Sequence, residues 1–194
     1  MKFQKSLLII FFIAAAFLLI GIFFDSKIAF FLADHRVIFL NVFMIWTSYS
    51  GTWLMVLFIM TSLFLWNEKK RFWILPLWLS LGLTALITYG VKLIFIRERP
   101  FEVLQITPLV EAHRSSFPSG HAAAVFSPLA VLDKEFPRFK WFWLLFSLLV
   151  AFSRLYLGVH YLSDVVVGSM LGFTIGLFVV YLWDQRKKMF DYTS

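Results

Sequence analysis

The stretch from Ser153 to Gly172, SRLYLGVHYLSDVVVGSMLG, carries an arginine, a histidine and an aspartate within an otherwise apolar segment. If His160 and Asp164 lie on one helix, their spacing of four residues puts them on one face, where the carboxylate can hold the imidazole. The other ring nitrogen is then free to attack or to bind a metal. Gly158 predicts a break, because a continuous helix would turn Arg154 and His160 about 240° apart. Solvated loop charges are the alternative interpretation.

A second candidate is SSFPSGHAAAVF. Pro118 suits the first turn of a helix, where a missing N–H group costs nothing. We expect Ser119, Gly120 and His121 in that turn, with free backbone N–H groups that form an anion site. Gly120 would let a ligand approach the backbone closely. A plain helix cap with an incidental histidine is the alternative.

A third candidate is KLIFIRERP, with Lys92 inside an apolar run and Arg99 just before Pro100. Seven residues are two helical turns to within about 20°, so the two cations could project from one face. The alternative is a lysine that reaches for the membrane surface and an arginine at the end of the span. Ionisable groups at membrane depth cost roughly 2.5–3.5 kcal/mol each, which makes both residues functional candidates.

Together the three segments supply two histidines, one aspartate, three cations, a serine and a glycine. Three cations around a helix N-terminus indicate a phosphate ligand, and two histidines can act as a nucleophile or base and an acid. A metal site is the main competitor. Such a site would need more carboxylate ligands nearby, and the three cations would repel the ion.

Membrane helices must position these residues. Hydrophobic residues make up 61% of the 194-residue chain, and apolar runs near the ~20 residues that cross a bilayer recur along it. They predict an all-α, polytopic membrane protein that forms a single domain over residues 1–194. An interfacial amphipathic helix is expected between the first two spans, in DSKIAFFLADHRVIFLNVFMIW. Six spans are predicted, near residues 6–24, 50–66, 72–96, 118–133, 139–157 and 163–184.

Basic residues predict the orientation, because short loops rich in Lys and Arg face the cytoplasm. With both termini inside, eleven of the 18 basic residues are cytoplasmic. The site then lies on the periplasmic or extracellular side of the cytoplasmic membrane. The net charge of +7 is better explained by topology and anion binding than by nucleic acid, because no solvated basic domain is present. The seven outer cations are Lys27, Arg36, Lys92, Arg97, Arg99, Arg114 and Arg154.

The three segments match K-x6-RP, PSGH and SR-x5-H-x3-D in order, without a departure at any motif position. In these motifs and in its six-span layout the chain strongly resembles the type 2 phosphatidic acid phosphatase family of integral membrane lipid phosphatases. The resemblance implies that His160 is a nucleophile that forms a phosphohistidine and that Asp164 orients it. His121 would protonate the leaving oxygen and later activate water. The phosphoryl oxygens and the transition-state charge would be held by Lys92, Arg99, Ser119, the backbone of Gly120, and Arg154. With three fixed cations, neither a metal nor a cofactor is expected.

The expected reaction is hydrolysis of a phosphomonoester or diphosphate from an outer-leaflet lipid. The resemblance offers undecaprenyl diphosphate, phosphatidylglycerol phosphate, phosphatidic acid and lipid A 1-phosphate as substrates. Small size and the glycine at position 120 argue against a dedicated undecaprenyl diphosphatase, and the outer cations favour lipid A.

Two alternatives to hydrolysis stay open. One is a phosphotransferase that passes the group to a lipid or sugar acceptor. The other is a transporter, which should have deeper charges and repeated helices. The expected partners are the lipid phosphate and the bilayer, with no nucleic acid and no obligate protein partner.

The remaining polar residues on the outer side are interpreted as surface residues. His35 and His113 are assigned to loops, and Glu98, Glu102 and Glu111 to solvated charges. Four cations either extend an anionic headgroup site or face solvent, namely Lys27, Arg36, Arg97 and Arg114.

Overall fold

A computed structural model describes residues 2–49, 62, 66 and 71–193, and all regular structure within these ranges is helical. The all-α prediction is therefore confirmed for this part of the chain. Short 3-10 turns over Arg71–Trp73 and Pro137–Phe139 precede α3 and α7. The helices are α1 (Lys2–Asp34), α2 (Ile38–Ser48), α3 (Ile74–Ile94), α4 (Pro100–Val103), α5 (Gly120–Phe126), α6 (Leu129–Glu135), α7 (Lys140–Tyr156) and α8 (Leu162–Thr193).

Four segments in the described ranges are long and apolar enough to cross a membrane. Large apolar side chains on these segments point outward, among them Phe23 at 75% exposure and Leu86 at 68%. Such a surface suits lipid tails rather than water. The four segments are Phe12–Asp34, Arg71–Ile94, Pro137–Tyr156 and Leu162–Arg186.

The first predicted span ends too early. Helix α1 continues past Phe24 to Asp34, because the carboxylate of Asp25 is bound by Arg97 and Ser163 and does not need to end the helix in water. The segment predicted to lie at the interface is consequently divided between α1 and α2. Helix α2 packs against α7, and its placement at the membrane surface stays a prediction.

Two further predicted spans bear on the six-span count. The span over residues 50–66 falls outside the described residues, apart from residues 62 and 66. The span over residues 118–133 is interrupted between α5 and α6. Pro128 lacks the N–H group that a continuous helix needs there. The count of six therefore stays a prediction.

Helix α8 is the central element, since it contacts α1, α3, α5, α6 and α7. Glycines every four residues on α8 allow α5 to approach at backbone distance. A Cβ atom on Gly172, for example, would lie 2.8 Å from the carbonyl carbon of Ala123. Beneath this contact, Leu77, Val125, Val131 and Val150 form the main core between α3, α5, α6 and α7. The packing fixes the start of α5 beside the start of α8.

Candidate active site

The turn between α7 and α8 carries His160. Gly158 has φ +78°, a conformation that other residues rarely adopt, so the predicted break is confirmed. His160 lies before α8 and Asp164 lies in its first turn. The two residues are therefore not on one helix, and the condition for a shared helical face is not met. They still meet, with Nδ1 of His160 3.6 Å from Oδ2 of Asp164, because Asp164 reaches back to accept the Tyr161 N–H at 2.9 Å and caps the helix.

The Asp164 carboxylate is fully buried and bound on both oxygens. Arg97 Nη1 donates to Oδ1 at 2.6 Å, and the Ser116 hydroxyl donates to Oδ2 at 2.5 Å. The Ser116 oxygen lies 3.5 Å from Nδ1 of His160 and can only accept there, because its proton goes to Asp164. Both this oxygen and the ionised carboxylate favour the tautomer of His160 with its proton on Nδ1. Burial lowers the pKa of His160 to about 3. The charges of Arg154 and Arg99 also lower this pKa, whereas Asp164 raises it. The imidazole is thus neutral at pH 7, with a lone pair on Nε2.

Lys92 and Arg99 lie close together, although they are not two turns apart on one helix. Helix α3 ends at Ile94 and the next residue is extended, which corrects the predicted helical face. The two cations meet instead at the Ser115 carbonyl, which lies 2.6 Å from Lys92 Nζ and 3.5 Å from Arg99 Nη2. The 4%-exposed Arg99 also donates to Val159 O at 2.6 Å. Backbone carbonyls therefore compensate for the burial of this charge.

Arg154 comes from the last turn of α7 and is 4% exposed. Its Nη1 donates to the hydroxyl of Ser48 at the end of α2. Its Nε is buried and lacks a partner within the described part of the chain. Buried donors are nearly always paired, so this N–H group is suited to a ligand oxygen.

The start of α5 differs in one position from the prediction. Ser119 is the N-cap and accepts from Ala122 N at 3.5 Å, which puts Pro118 before the cap rather than in the first turn. The physical reason is that an N-cap needs a side-chain acceptor, which serine has and proline lacks. Gly120 and His121 begin the helix and are half-buried.

Two observations bring the start of α5 into the same site. Ser119 N donates to Asp164 O at 3.0 Å, which joins the first turns of α5 and α8. The charges of Arg154, Arg99, Lys92 and His160 all act on His121. Every residue predicted for the site therefore lies around one centre.

Sequence reasoning missed several residues of this centre. Arg97 was assigned to a headgroup site or to solvent, but it bridges Asp164 and Asp25. Ser116 and Ser48 were not considered. Asp25 could have been found, because an ionisable residue in an apolar run is a functional candidate. For the two serines the sequence holds no signal, since their roles depend on distant partners.

The other outer charges serve local structure. Arg36 donates to the carbonyls of Tyr156 at 3.1 Å and Thr107 at 2.5 Å, which fastens the turn before His160. Arg114 stacks on Tyr89 and Lys27 on Phe24. Glu102, predicted to be a solvated charge, accepts the Arg99 N–H at 2.6 Å and caps α4. His35 is exposed and bonds Phe31 O.

Within the described ranges, no group of three or more His, Asp or Glu side chains is placed to hold a metal ion. Arg97 is paired with two carboxylates. The other fixed positive charges at this centre are those of Lys92, Arg99 and Arg154. The arrangement can hold an anionic group between these cations and the start of α5, with the neutral His160 beside it.

Comparison with known proteins identifies the family. The sequence pattern of the PAP2 superfamily matches residues 73–188, which include all eight predicted site residues. The chain belongs to the PAP2 superfamily. Undecaprenyl-diphosphatase of Sulfolobus acidocaldarius is 30% identical in an alignment of 154 residues that covers 71% of this chain and 68% of that protein. The expectation of a membrane lipid phosphatase is thereby confirmed, and the chain is an integral membrane protein.

Two solved structures share the fold. The crystal structure of Aquifex aeolicus LpxE has a TM-score of 0.71 and 29% identity, and the match covers 81% of this chain and 94% of that one. The transmembrane PAP2 type phosphatidylglycerolphosphate phosphatase from Bacillus subtilis has a TM-score of 0.74 and 25% identity. That match covers 94% of this chain and 96% of the other. The helical architecture is therefore that of membrane phosphatases along most of the chain.

Proposed function

We propose that the chain hydrolyses a phosphate group from a membrane lipid through a phosphohistidine on His160. In the first step, His160 Nε2 attacks phosphorus and the bond to the lipid oxygen breaks. The negative charge of the bound phosphate offsets the neighbouring cations, whose charges otherwise favour a neutral His121. His121 can then carry the proton that it donates to this oxygen. In the second step, His121 takes a proton from water, the resulting oxygen attacks phosphorus, and the N–P bond breaks. Inorganic phosphate leaves and both histidines return to their starting states.

Charge in the transition state spreads over the three equatorial oxygens. Lys92, Arg99 and Arg154 supply three cations whose positions are fixed by carbonyls and by Ser48 before substrate arrives. Groups that are already in place need no reorganisation during the reaction, which is why such sites are effective. The half-buried start of α5 adds backbone N–H groups that have no intrahelical partner.

One observation carries the proposal. A neutral, buried His160 has its Nδ1 turned to Asp164, which leaves Nε2 directed away from the carboxylate. The same residue lies within the field of Arg154 and Arg99. A nucleophile oriented by a buried acid, beside fixed cations, is the arrangement that attack on phosphorus requires.

The substrate class we propose is a phosphomonoester or diphosphate of an outer-leaflet lipid. The names of the relatives span undecaprenyl diphosphate, phosphatidylglycerophosphate and lipid A. All three lipids therefore stay in the proposal, undecaprenyl diphosphate included, despite the small size of the chain and the glycine at position 120. The case for lipid A rested on four extra cations. Arg97 is bound to two carboxylates and Arg36 to two carbonyls. Only Arg114 and Lys27 therefore still favour the anionic headgroup of lipid A.

Purified protein in detergent, incubated with each of these lipid phosphates and no acceptor, tests the reaction. We expect release of inorganic phosphate, and none from the His160→Ala protein. Phosphate that appears only on an added lipid or sugar alcohol would instead identify a phosphotransferase. Binding of lipid phosphate without any turnover would favour the transporter.

We also propose that the site opens to the outer leaflet of the cytoplasmic membrane, with both termini inside. The distribution of Lys and Arg supports this orientation. The chain has no cysteine, so single cysteines can be introduced at exposed positions. Thr107→Cys should react with an impermeant thiol reagent in intact cells, and Arg138→Cys should react only after lysis. The reverse pattern would move the substrate to the inner leaflet.

A further inference from the structure

A buried carboxylate from α1 reaches the first turn of α8. Asp25 is 7% exposed, although it lies in an apolar helix. Its Oδ1 accepts the Ser163 N–H at 3.0 Å, and its Oδ2 accepts from Arg97 Nη2 at 2.8 Å and from the Ser163 hydroxyl. Gly21 lies one turn earlier on the same face, and a Cβ there would be 2.8 Å from Ser163 N. The backbone of α1 is thus held against the start of α8.

Arg97 joins this carboxylate to Asp164. Its Nη2 binds Asp25, while Nη1 binds Asp164 Oδ1 at 2.6 Å and Ser163 Oγ at 2.7 Å. The planar guanidinium lies 4.2 Å over the ring of Tyr161. A planar guanidinium can bind two carboxylates at the same time through its two NH2 groups, whereas a lysine ammonium is a single point of charge. The bridge therefore fixes the position of the Asp164 carboxylate in space.

The backbone of Arg97 is fixed as well. Its N–H donates to Ser115 Oγ at 3.1 Å, and its carbonyl accepts from Ser116 N at 2.8 Å. Ser116 is the residue whose hydroxyl binds the second oxygen of Asp164. Both oxygens of Asp164 are thereby held by the connection between α3 and α5, and that connection is held by α1 through Asp25.

Asp25 also affects the charge and the orientation of Arg97. Burial lowers the pKa of Arg97, but the hydrogen bonds and charges of Asp25 and Asp164 outweigh burial and raise it. Arg97 therefore stays cationic. If Asp164 were its only carboxylate partner, the guanidinium could rotate, because its second NH2 group would not be bound to a carboxylate. Asp25 removes that freedom.

We propose that Asp25 and Arg97 are positioning residues, which hold Asp164 and through it the ring of His160 in the orientation for attack. This role rests on the proposed phosphohistidine. Neither residue needs to touch the substrate. Asp25 lies in α1, outside residues 73–188, the range that matches the superfamily. The proposed role therefore extends the residues that support catalysis to a helix beyond that range.

The experiment measures the rate of phosphoenzyme formation in the first turnover, with the lipid phosphate in excess over the enzyme and a quench that preserves phosphohistidine. The burst amplitude counts active sites, so the rate per site is independent of how much protein has folded. Asp25→Asn keeps the shape of the side chain and removes its charge. Arg97→Lys keeps the charge and removes the second of the two carboxylate contacts. Asp34→Asn, on the same helix with a side chain 68% exposed, is the matched control.

We expect the rate per site to fall about 10- to 100-fold in both bridge variants, as a small misplacement of a nucleophile does. KM for the lipid should change by less than about threefold, because substrate contacts are retained. The double variant should cost no more than the worse single variant, since the two residues act as one unit. Asp34→Asn should match the parent protein.

The outcomes separate the two proposals. If the parent protein forms no phosphoenzyme, the proposed function fails. If the parent forms it and Asp25→Asn forms it at the same rate per site, the positioning role fails and the function stands. Should Asp25→Asn not fold, Ser163→Ala removes one hydroxyl leg of the bridge and should slow the step about fivefold. An unchanged rate in that variant would also overturn the inference.

Discussion

Replacing Gly168 with alanine should separate the two helix starts that meet at the site. A Cβ on Gly168 would lie 3.2 Å from both the N and the carbonyl C of Ser119, and nearer still to its carbonyl oxygen. These are backbone atoms, which cannot rotate away as a side chain could. Ser119 is also the residue whose N–H binds Asp164 O. The methyl group must therefore push the start of α5 away from α8.

The required movement is on the order of 1 Å, and a misplacement of that size can reduce a rate about 100-fold. Overpacking of this kind costs roughly 1–3 kcal/mol of stability. Helix propensity alone gives the opposite sign, since alanine in a helix interior is favoured over glycine by roughly 0.5–1 kcal/mol. The two expectations can therefore be told apart by stability as well as by rate.

The assay is phosphate release from one lipid phosphate in detergent, normalised to the burst amplitude, together with thermal unfolding. Gly90→Ala and Gly82→Ala are matched controls on α3, because a Cβ at either position meets nothing within 4 Å. Both controls should keep the parent rate and an equal or higher Tm. A Gly168→Ala protein with the parent rate and Tm would refute the argument that backbone contact between α5 and α8 sets the site.

Three further outcomes are expected. Because fixed cations do the electrostatic work, activity should survive strong chelation, and vanadate should compete with substrate; loss with EDTA that Mg²⁺ restores would contradict this. His160→Ala should be inactive on every substrate. His121→Ala should slow the first step about 10²–10⁴-fold with a lipid alkyl phosphate and far less with p-nitrophenyl phosphate. With p-nitrophenyl phosphate, phosphohistidine should accumulate in this variant. Equal losses would mean that His121 only binds phosphate. The ring of His160, followed by NMR on 13C-labelled protein, should stay neutral from about pH 8 to pH 5, since burial lowers its pKa to about 3; a midpoint near the ordinary ~6.5 would show that the ring is solvated.

How far the sequence predicts the site depends on the range of each interaction. The spacing from Ser153 to Asp164, with Gly158 as a break, predicted a turn that delivers His160 to a helix start. That prediction needed only local backbone chemistry, and the turn at Gly158 bears it out. The Lys92–Arg99 face and the position of Pro118 were wrong, because each assumed that a helix continues or begins where the backbone does otherwise.

By itself, the sequence determined the helical membrane fold and the phosphatase family, and it predicted eight site residues, because hydropathy and residue type are properties of the chain. Only the tertiary structure decided how the charges are divided. Arg97 and Arg99 are two residues apart and carry the same charge, yet the Arg97 side chain binds two carboxylates and the Arg99 side chain binds only backbone oxygens. Asp25 and Ser116 joined the site for the same reason. A buried charge is stabilised by whichever partners the packing brings within about 3 Å, and those partners are 72 and 48 residues away along the chain.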